Sequence, residues 1–399
     1  MPKTPSGEKV ANTLLVIASL MVALAVVEIA LRIIGFTYVT PYRFDSITGK
    51  SLQPGVELWY TTEGNAFVRI NSDGLRDIEH KIEKPPGTLR IALLGDSYAE
   101  AMQVALEQNF SSVIQDELGQ CKNLASKHVE VINFGVSGFG TVQELLTLKH
   151  KVWKYAPDIV LLTFLTGNDV RNNLRELQQG GNQPYFVYQE GKLVLDDSFR
   201  HKSGSRFLGS AIGQLWFAAV PRSRVLQLLV KFSNYVSQMK NGGARAERKN
   251  AQRQYERGLD VEVYTPPTTP AWVEGWRVTE DLIRMINTDV IANGARLMLV
   301  TLTNGIQVHP DPMERQSFAA SLGVEDLLYP DRRMQRFAGE ASIPFLMLAP
   351  PLQAWAQEHG QCVHGFANTE PCTGHWNEHG HREAGRIIAQ DICKSLTGN

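Results

Sequence analysis

The chain has 399 residues, of which 43% are hydrophobic and 20% are charged, a composition typical of a globular protein with one large domain or two. Its formal net charge of -1 argues against a nucleic acid as partner, because phosphate binding needs a basic surface.

The N-terminal region departs from this average composition. Residues 10–27 carry no charge, and the apolar pattern continues past Glu28. A helix over residues 10–36 is long enough to cross the hydrocarbon core of a bilayer. Lys3 and Lys9 precede it, so the positive-inside rule predicts a single-pass protein of the inner membrane, with a cytoplasmic tail and all later residues outside the cytoplasm. A cleaved signal peptide is the alternative interpretation.

Residues 37–89 have the pattern of an extended, turn-rich segment that leads to the main domain. Leu58–Tyr60 and Phe67–Ile70 are typical of short strands. Pro85-Pro86-Gly87 then breaks the chain. We therefore predict that the main domain spans residues 90–399.

Three consecutive segments of this domain have the pattern of a buried strand, a polar loop and a helix. The strands are predicted at Ile91–Leu94, Val129–Asn133 and Ile159–Phe164. Three such units in a row predict an α/β fold with a doubly wound parallel sheet, a flavodoxin-like three-layer α/β/α architecture.

Residues 171–265 interrupt this rhythm and are predicted to be an insertion. We expect a hairpin that turns at Glu190-Gly191, a helix over Val225–Met239 and an exposed polar stretch at Lys240–Arg257. A lid, a partner surface and a neutral decoration all remain open as its role. The α/β alternation then returns, with helices at about Trp272–Ala292, Asp331–Gly339, Leu352–Glu358 and Glu378–Leu396 and with strands at Leu297–Leu302 and Pro344–Leu348.

The four cysteines suit an exported domain, where disulfides persist. Cys362 and Cys372 flank a short loop and could close it. Cys121 ends the helix after the first strand, and Cys393 ends the last helix. In a flavodoxin-like sheet these helices pack on the same face with their carboxyl ends at the same side, which predicts a Cys121–Cys393 bridge. Free buried thiols are the alternative.

Small and polar residues follow the three strands at the edge where open α/β sheets bind ligands. They form the segments Gly95-Asp96-Ser97, Asn133–Gly138 and Gly167-Asn168-Asp169, and a fourth segment, Thr373–His381, precedes the last helix. Ser97 would begin a helix whose N-terminal N–H groups favour developing negative charge. Simple capping of that helix is the alternative interpretation of the serine.

This set of segments resembles the SGNH hydrolase superfamily of GDSL-type esterases, in a bacterial branch with a single N-terminal membrane helix. The resemblance covers roughly Arg90–Ser395 apart from the insertion. It implies that Ser97 is the nucleophile and His375 the general base. It also implies an oxyanion hole made of the backbone N–H groups of Ser97 and Gly138 and the side-chain amide of Asn168. Serine needs such a base, and imidazole ordinarily titrates near neutral pH.

The chain departs from that family at the third member of the triad. The family has an aspartate two or three residues before the histidine, where this chain has Thr373 and Cys372. Glu370 is the nearest upstream carboxylate and could orient His375. A Ser–His dyad held by a backbone carbonyl and a weakened or lost activity are the alternatives.

The resemblance implies a membrane-anchored, extracytoplasmic serine esterase that removes short acyl groups, above all O-acetyl, from a glycan or a small ester. Acetyl transfer to a surface polysaccharide uses the same acyl-enzyme, and a non-catalytic glycan-binding or assembly protein would explain the missing aspartate. No cofactor is expected. Five histidines lie between His359 and His381, but without a standard ligand spacing, so no metal site is predicted.

Overall fold

The computed structural model describes residues 5–125, 127–178, 181–240 and 257–396. The chain divides into an N-terminal unit, Met1–Thr40 with Phe207–Lys249, and a sheet unit, Pro41–Arg206 with Asn250–Asn399. This division differs from the predicted one. The segment at 37–89 belongs almost wholly to the sheet unit, and only the central part of the predicted insertion lies outside that unit.

Strands and helices alternate along the sheet unit, and the N-terminal unit is helical. The strands are β1 (Tyr42–Asp45), β2 (Gly49–Leu52), β3 (Glu57–Tyr60), β4 (Ala66–Arg69), β5 (Thr88–Leu94), β6 (His128–Asn133), β7 (Ile159–Leu165), β8 (Tyr185–Gln189), β9 (Lys192–Asp196), β10 (Arg296–Leu302) and β11 (Phe345–Met347). The helices are α1 (Pro5–Ile33), α2 (Ser97–Glu100), α3 (Phe110–Gly119), α4 (Thr141–Thr147), α5 (Asp169–Asn172), α6 (Arg175–Gln178), α7 (Ser203–Gly209), α8 (Ala211–Ala219), α9 (Arg224–Lys240), α10 (Pro270–Ala292), α11 (Pro312–Ser321), α12 (Tyr329–Glu340), α13 (Ala349–His359) and α14 (Glu378–Ser395).

The central sheet has five parallel strands in the order β11–β10–β7–β5–β6. Counted along the chain, this is the order 2-1-3-4-5 reversed, which is the flavodoxin-like order. The predicted doubly wound parallel sheet is therefore confirmed. β5 lies between β6 and β7, so the loops that follow these three strands meet at the topological switch point, where such sheets bind ligands.

Both faces of the sheet are covered by helices, which is why its strands are continuous apolar runs. Every residue of β5 and β7 is buried. One core contains residues of α4, α10 and α12, such as Leu145, Ile286 and Phe337. The other contains residues of α3, α13 and α14, such as Ile114 and Leu352. Burial of each such side chain stabilises the fold by about 1.5–3 kcal/mol.

Two disulfides link segments of the sheet unit. Cys121, just after α3, is bonded to Cys393 in α14 with an Sγ–Sγ distance of 2.05 Å and a Cα–Cα distance of 6.1 Å. The helices α3 and α14 pack side by side, as expected for the first and last helices on one face of this sheet. Cys362 and Cys372, with Cα atoms 5.0 Å apart, close the short loop that precedes α14.

Three antiparallel hairpins flank the central sheet: β1–β2, β3–β4 and β8–β9. β3–β4 occupies the segment predicted to hold two short strands, and β8–β9 turns at Glu190-Gly191 as predicted. Of the polar stretch predicted at Lys240–Arg257, residues 241–256 lie outside the described residues.

The N-terminal unit is built on α1. Its span Gly7–Ile33 has a mean hydropathy of 2.8 and none of its apolar window is buried, so by length and composition it could cross a membrane or serve as a signal sequence. Near the end of α1, the Glu28 carboxylate accepts hydrogen bonds from the backbone N–H groups of Arg224 and Val225, both at 3.0 Å, at the start of α9. Glu28 also pairs with Arg32 at 2.7 Å, on the same face of α1.

Candidate active site

Ser97 is the first residue of the single-turn helix α2 and lies directly after β5. Asp96 caps this turn, because its Oδ1 accepts a hydrogen bond from the backbone N–H of Tyr98 at 2.9 Å. Gly95 has no room for a side chain, since a Cβ atom there would lie 2.2 Å from Oγ1 of Thr163 on the neighbouring strand. The sharp turn therefore holds the half-buried Ser97 at the carboxyl edge of the sheet.

His375 contacts Ser97 from the loop before α14. Its Nε2 lies 2.8 Å from Ser97 Oγ, and its Nδ1 lies 2.6 Å from Oε2 of Glu63. A carboxylate can only accept a hydrogen bond, so Nδ1 carries the proton and donates it to Glu63. Nε2 is then the acceptor for the hydroxyl of Ser97, as required of a general base.

Glu63 is the carboxylate partner of His375, and it comes from the turn between β3 and β4. Its Oε1 accepts a second hydrogen bond, 2.7 Å long, from the backbone N–H of His375. Burial favours a higher pKa for Glu63, but hydrogen bonds and charge attraction from His375 outweigh it, so the pKa lies below its ordinary value. Glu63 is therefore ionised at neutral pH and holds both the ring and the main chain of His375.

Glu370, the carboxylate predicted to orient His375, is instead exposed. Its backbone carbonyl accepts a hydrogen bond from Oγ1 of Thr373 at 2.8 Å, and its side chain makes none of the contacts that hold the imidazole. The expectation for Glu370 rested on its closeness to His375 in the sequence. The carboxylate that contacts the imidazole, Glu63, is 312 positions away from His375. The sequence feature that marks Glu63 is the polar turn that it forms with Gly64. In the structure this glycine is required, because a Cβ atom there would lie 2.3 Å from the backbone oxygen of Gln103.

The loops that carry Gly138 and Asn168 lie on the two sides of the Ser97 turn. The backbone N–H of Val136 donates to the carbonyl of Gly95 at 3.2 Å, which joins the loop after β6 to this turn. On the other side, Thr163 Oγ1 on β7 donates to the carbonyl of Leu94 at 2.8 Å.

Gly138 and Asn168 each have a distinctive local conformation. Gly138 has a φ of +74°, in the left-handed region that favours glycine. Asn168 precedes α5 and is half-buried, while Asp169 turns its carboxylate back to accept from the backbone N–H of Leu165 at 2.7 Å. Asp169 thus holds the end of β7 rather than capping the next helix.

A chain of buried hydrogen bonds fixes the backbone just before His375. His364 Nδ1 lies 2.7 Å from the carbonyl of Gly374, and since a carbonyl only accepts, Nδ1 is the donor. His364 Nε2, 3.1 Å from Thr303 Oγ1, accepts from that hydroxyl, which in turn accepts from Trp376 Nε1 at 2.9 Å. Burial lowers the pKa of His364 to about 4, so the ring stays neutral and the direction of this chain is fixed.

Besides Glu100 at the end of α2, the buried carboxyl groups near the Ser97 turn include Asp96, Glu144 and Asp169. Burial raises the pKa of each, and the proximity of Asp96 raises the pKa of Glu144 and Asp169 further. The site thus combines a carboxylate at the imidazole whose pKa is lowered with buried acidic groups whose pKa values are raised.

No group of three or more histidine, cysteine, aspartate and glutamate side chains is arranged to hold a metal ion in the described part of the chain. His381 is buried and stacks on Phe110, with ring centroids 5.9 Å apart. Burial holds the pKa of His381 well below its usual range. The described contacts place this histidine in the core.

No protein-family profile matches the chain, and no curated protein matches it in sequence. Solved structures with low similarity do match. An acetyl xylan esterase named AlAXEase has 12% identity and a TM-score of 0.37, over 77% of this chain and 98% of its own. TesA has 11% identity and a TM-score of 0.37, over 77% and 99%. A catalytic mutant of an acetylxylan esterase from Geobacillus stearothermophilus has 11% identity and a TM-score of 0.37, over 79% and 96%.

Proposed function

We propose that the sheet unit is a serine esterase in which Ser97, His375 and Glu63 form the catalytic triad. The observation that carries this proposal is the continuous pair of contacts from Ser97 Oγ to His375 Nε2, 2.8 Å, and from His375 Nδ1 to Glu63 Oε2, 2.6 Å. A hydroxyl, an imidazole and a carboxylate in this order are what nucleophilic acyl transfer requires.

In the proposed reaction, Ser97 Oγ attacks the carbonyl carbon of the ester while His375 Nε2 takes the hydroxyl proton. The negative oxygen of the tetrahedral intermediate accepts hydrogen bonds from the backbone N–H groups of Ser97 and Gly138 and from the side-chain amide of Asn168. His375 then gives its proton to the leaving alkoxide, and the acyl group stays on Ser97. Water, activated by His375, releases the acid.

Glu63 supports this cycle by its charge and its two hydrogen bonds. The imidazole becomes positively charged in each transition state, and a carboxylate 2.6 Å from Nδ1 stabilises that charge. The second hydrogen bond, to the backbone N–H of His375, keeps the ring aimed at Ser97. With a carboxylate in this position, the absence of the family's aspartate gives no support to a degenerate site.

A polar cavity supports a hydroxyl-rich substrate. The cavity has a volume of about 210 Å³ and adjoins Gly138, and it is lined by Thr48, Gly49, Lys50, Phe139, Gln143, Asn182 and Gln183. Amide and ammonium groups suit the hydroxyls of a sugar better than an acyl chain. An acylated glycan is accordingly the substrate class that we assign, with O-acetyl as the acyl group.

The N-terminal unit supports an anchored, extracytoplasmic location. Glu28 of α1 binds the start of α9 through two backbone N–H groups, and Arg32 binds the carbonyl of Arg222 at 2.7 Å. Such contacts favour a helix that is retained over a cleaved signal peptide. Lys3 and Lys9 before the span favour an inner-membrane protein whose later residues are outside the cytoplasm.

The experiment that tests the enzymatic proposal is hydrolysis of a chromogenic acetyl ester by the full chain in detergent micelles. We expect turnover by the wild type and a loss of at least about 10³-fold in Ser97→Ala, since the nucleophile is removed. Equal turnover by both proteins would contradict the proposal. An acetylated oligosaccharide, assayed for free acetate and for acetyl groups moved to a second sugar, separates hydrolysis from transfer.

A further inference from the structure

One face of α9 carries large apolar side chains that point into solvent. Leu228, Phe232, Tyr235 and Met239 follow one another at intervals of four, three and four residues, which places them on a single face of a helix. Phe232 is 64% exposed and Met239 is 67% exposed. An ordinary protein surface rarely aligns large apolar residues in this way.

Another face of the same helix is already used inside the N-terminal unit. The backbone N–H of Tyr38 donates to Gln227 Oε1 at 2.9 Å, and Asn234 Nδ2 donates to the hydroxyl of Tyr38 at 3.1 Å. Lys231 Nζ lies 5.2 Å from the centroid of the Phe36 ring, which is within the range of a cation–π interaction. The segment that follows α1 therefore holds α9 by its polar face, and the apolar face lies on a different side.

A second apolar face of the same kind lies on α8. Ile212, Leu215 and Trp216 stand at positions i, i+3 and i+4, again on one side of a helix. Ile212 and Leu215 are each 69% exposed. Tryptophan is the residue most typical of the boundary between lipid and water.

The charges of this region all have one sign. Residues 207–240 contain Arg222, Arg224, Lys231 and Lys240 and neither aspartate nor glutamate. Helices with apolar faces and only basic charges fit the headgroup region of an anionic phospholipid bilayer. Their apolar side chains can contact the acyl chains, and their basic side chains can contact the anionic headgroups.

We infer that α8 and α9 lie in the headgroup region of the membrane, with their apolar faces against the acyl chains. The continuity with α1 argues for a bilayer as the occupant, because Glu28 near the end of the apolar span binds the first residues of α9. This inference rests on the proposed membrane span and is independent of the esterase chemistry. It gives the central part of the predicted insertion a role as a membrane-surface platform.

The test uses the full chain reconstituted in phosphatidylglycerol-containing vesicles, with a nitrobenzoxadiazole label on one introduced cysteine. Phe232→Cys places the label on the apolar face of α9, and Ser237→Cys is the matched control on the other side of the same helix. Lipids with a nitroxide on the acyl chain quench a label that lies in the membrane. We expect quenching at position 232 to exceed that at position 237 by about twofold or more.

A second pair keeps the inference testable if a change in α9 disturbs the unit. Leu215→Cys on the apolar face of α8 and Gln214→Cys on its other side are expected to differ in the same direction. Equal quenching within both pairs, with the labels open to aqueous iodide, would overturn the inference. Shielding from iodide without lipid quenching, together with energy transfer between labelled copies, would overturn it in favour of a second copy of the chain.

Discussion

At the scale of single residues, Glu63 is the group on which the geometry of His375 depends. Its two carboxylate oxygens hold the imidazole at 2.6 Å and the backbone N–H of the same residue at 2.7 Å. A neutral amide in its place could still accept one hydrogen bond but could not stabilise an imidazolium ion. The charge and the geometry of Glu63 can therefore be separated by substitution.

Glu63→Gln is expected to lower kcat for acetyl ester hydrolysis by about 10²- to 10⁴-fold, because the charge opposite the imidazolium is lost. KM should change little, since the carboxylate lies behind the histidine and not at the substrate. The measurement is steady-state kinetics of the purified full chain. Glu370→Gln is the matched control and should leave kcat unchanged; a larger loss in the control than in Glu63→Gln would contradict the assignment.

Asn168→Ala tests the side-chain donor of the oxyanion hole. Loss of one such donor typically costs about 2.7–4 kcal/mol of barrier, so kcat should fall by about 10²- to 10³-fold. The same variant should still transfer the acetyl group of the ester to Ser97, more slowly, because the nucleophile and its base are intact. Unchanged kcat with a correctly folded variant, checked by circular dichroism, would remove Asn168 from the proposed oxyanion hole.

At the scale of elements, the β3–β4 hairpin shows where prediction from the sequence stops. The strands at Ile91–Leu94, Val129–Asn133 and Ile159–Phe164 could be predicted because fully buried parallel strands are continuous apolar runs. Ser97 and His375 could be proposed because the segments around them resemble those of a known family, at a strand end and just before a helix. The partner of His375 could not, because its position depends on how a hairpin folds against a loop 312 residues away.

The two disulfides should differ in their effects on thermal stability and on catalytic activity. The Cys121–Cys393 bridge spans 272 positions and Cys362–Cys372 spans 10, so the chain-entropy model assigns them about 5.6 and about 2.7 kcal/mol of stability. Cys121→Ala with Cys393→Ala should lower Tm strongly and leave kcat at 20 °C unchanged.

The double variant Cys362→Ala with Cys372→Ala should affect kcat more than Tm. The short loop contains His364, which hydrogen-bonds the carbonyl just before His375, so its loosening should lower kcat by about tenfold or more. Thermal unfolding and ester hydrolysis, measured on both double variants, check the pair of expectations. A loss of activity confined to the Cys121–Cys393 variant would contradict this division of roles.

At the scale of the whole molecule, buried acids dominate the pH dependence of stability. Burial raises the pKa of Glu100, Asp260 and Asp331 to about 7, so the folded state retains protons that the unfolded state releases near pH 4. Their contribution to stability is present at low pH and decreases as pH rises toward 7. The buried His364 and His381, whose pKa values are lowered, act in the opposite direction.

Because the buried acids outnumber these two histidines, Tm of the full chain should be several degrees higher at pH 5.5 than at pH 8. Differential scanning fluorimetry at constant ionic strength gives the measurement. Asp331→Asn, which mimics the protonated acid, should reduce the difference. A Tm that increases steadily from pH 5.5 to pH 8 would contradict the raised pKa values of these buried acids.

Part of the overall architecture could also be predicted from the sequence. The order of strand, loop and helix predicts the doubly wound parallel sheet and its three layers, and the structure contains such a sheet with five strands. The proline-rich break before residue 90 predicts a domain limit, whereas the hairpins that precede it belong to the same compact unit as the central sheet. Local breaks in the chain do not reveal which surfaces pack together afterwards.

The central claim is that Ser97 is a nucleophile activated by His375 and Glu63, and covalent labelling tests it most directly. Full-length protein is treated with a fluorophosphonate, and the modified residue is found by intact mass and peptide mapping. The account predicts one adduct per chain, on Ser97, formed much more slowly in His375→Ala and absent in Ser97→Ala. No adduct on folded wild-type protein, or an adduct on another serine, would contradict it.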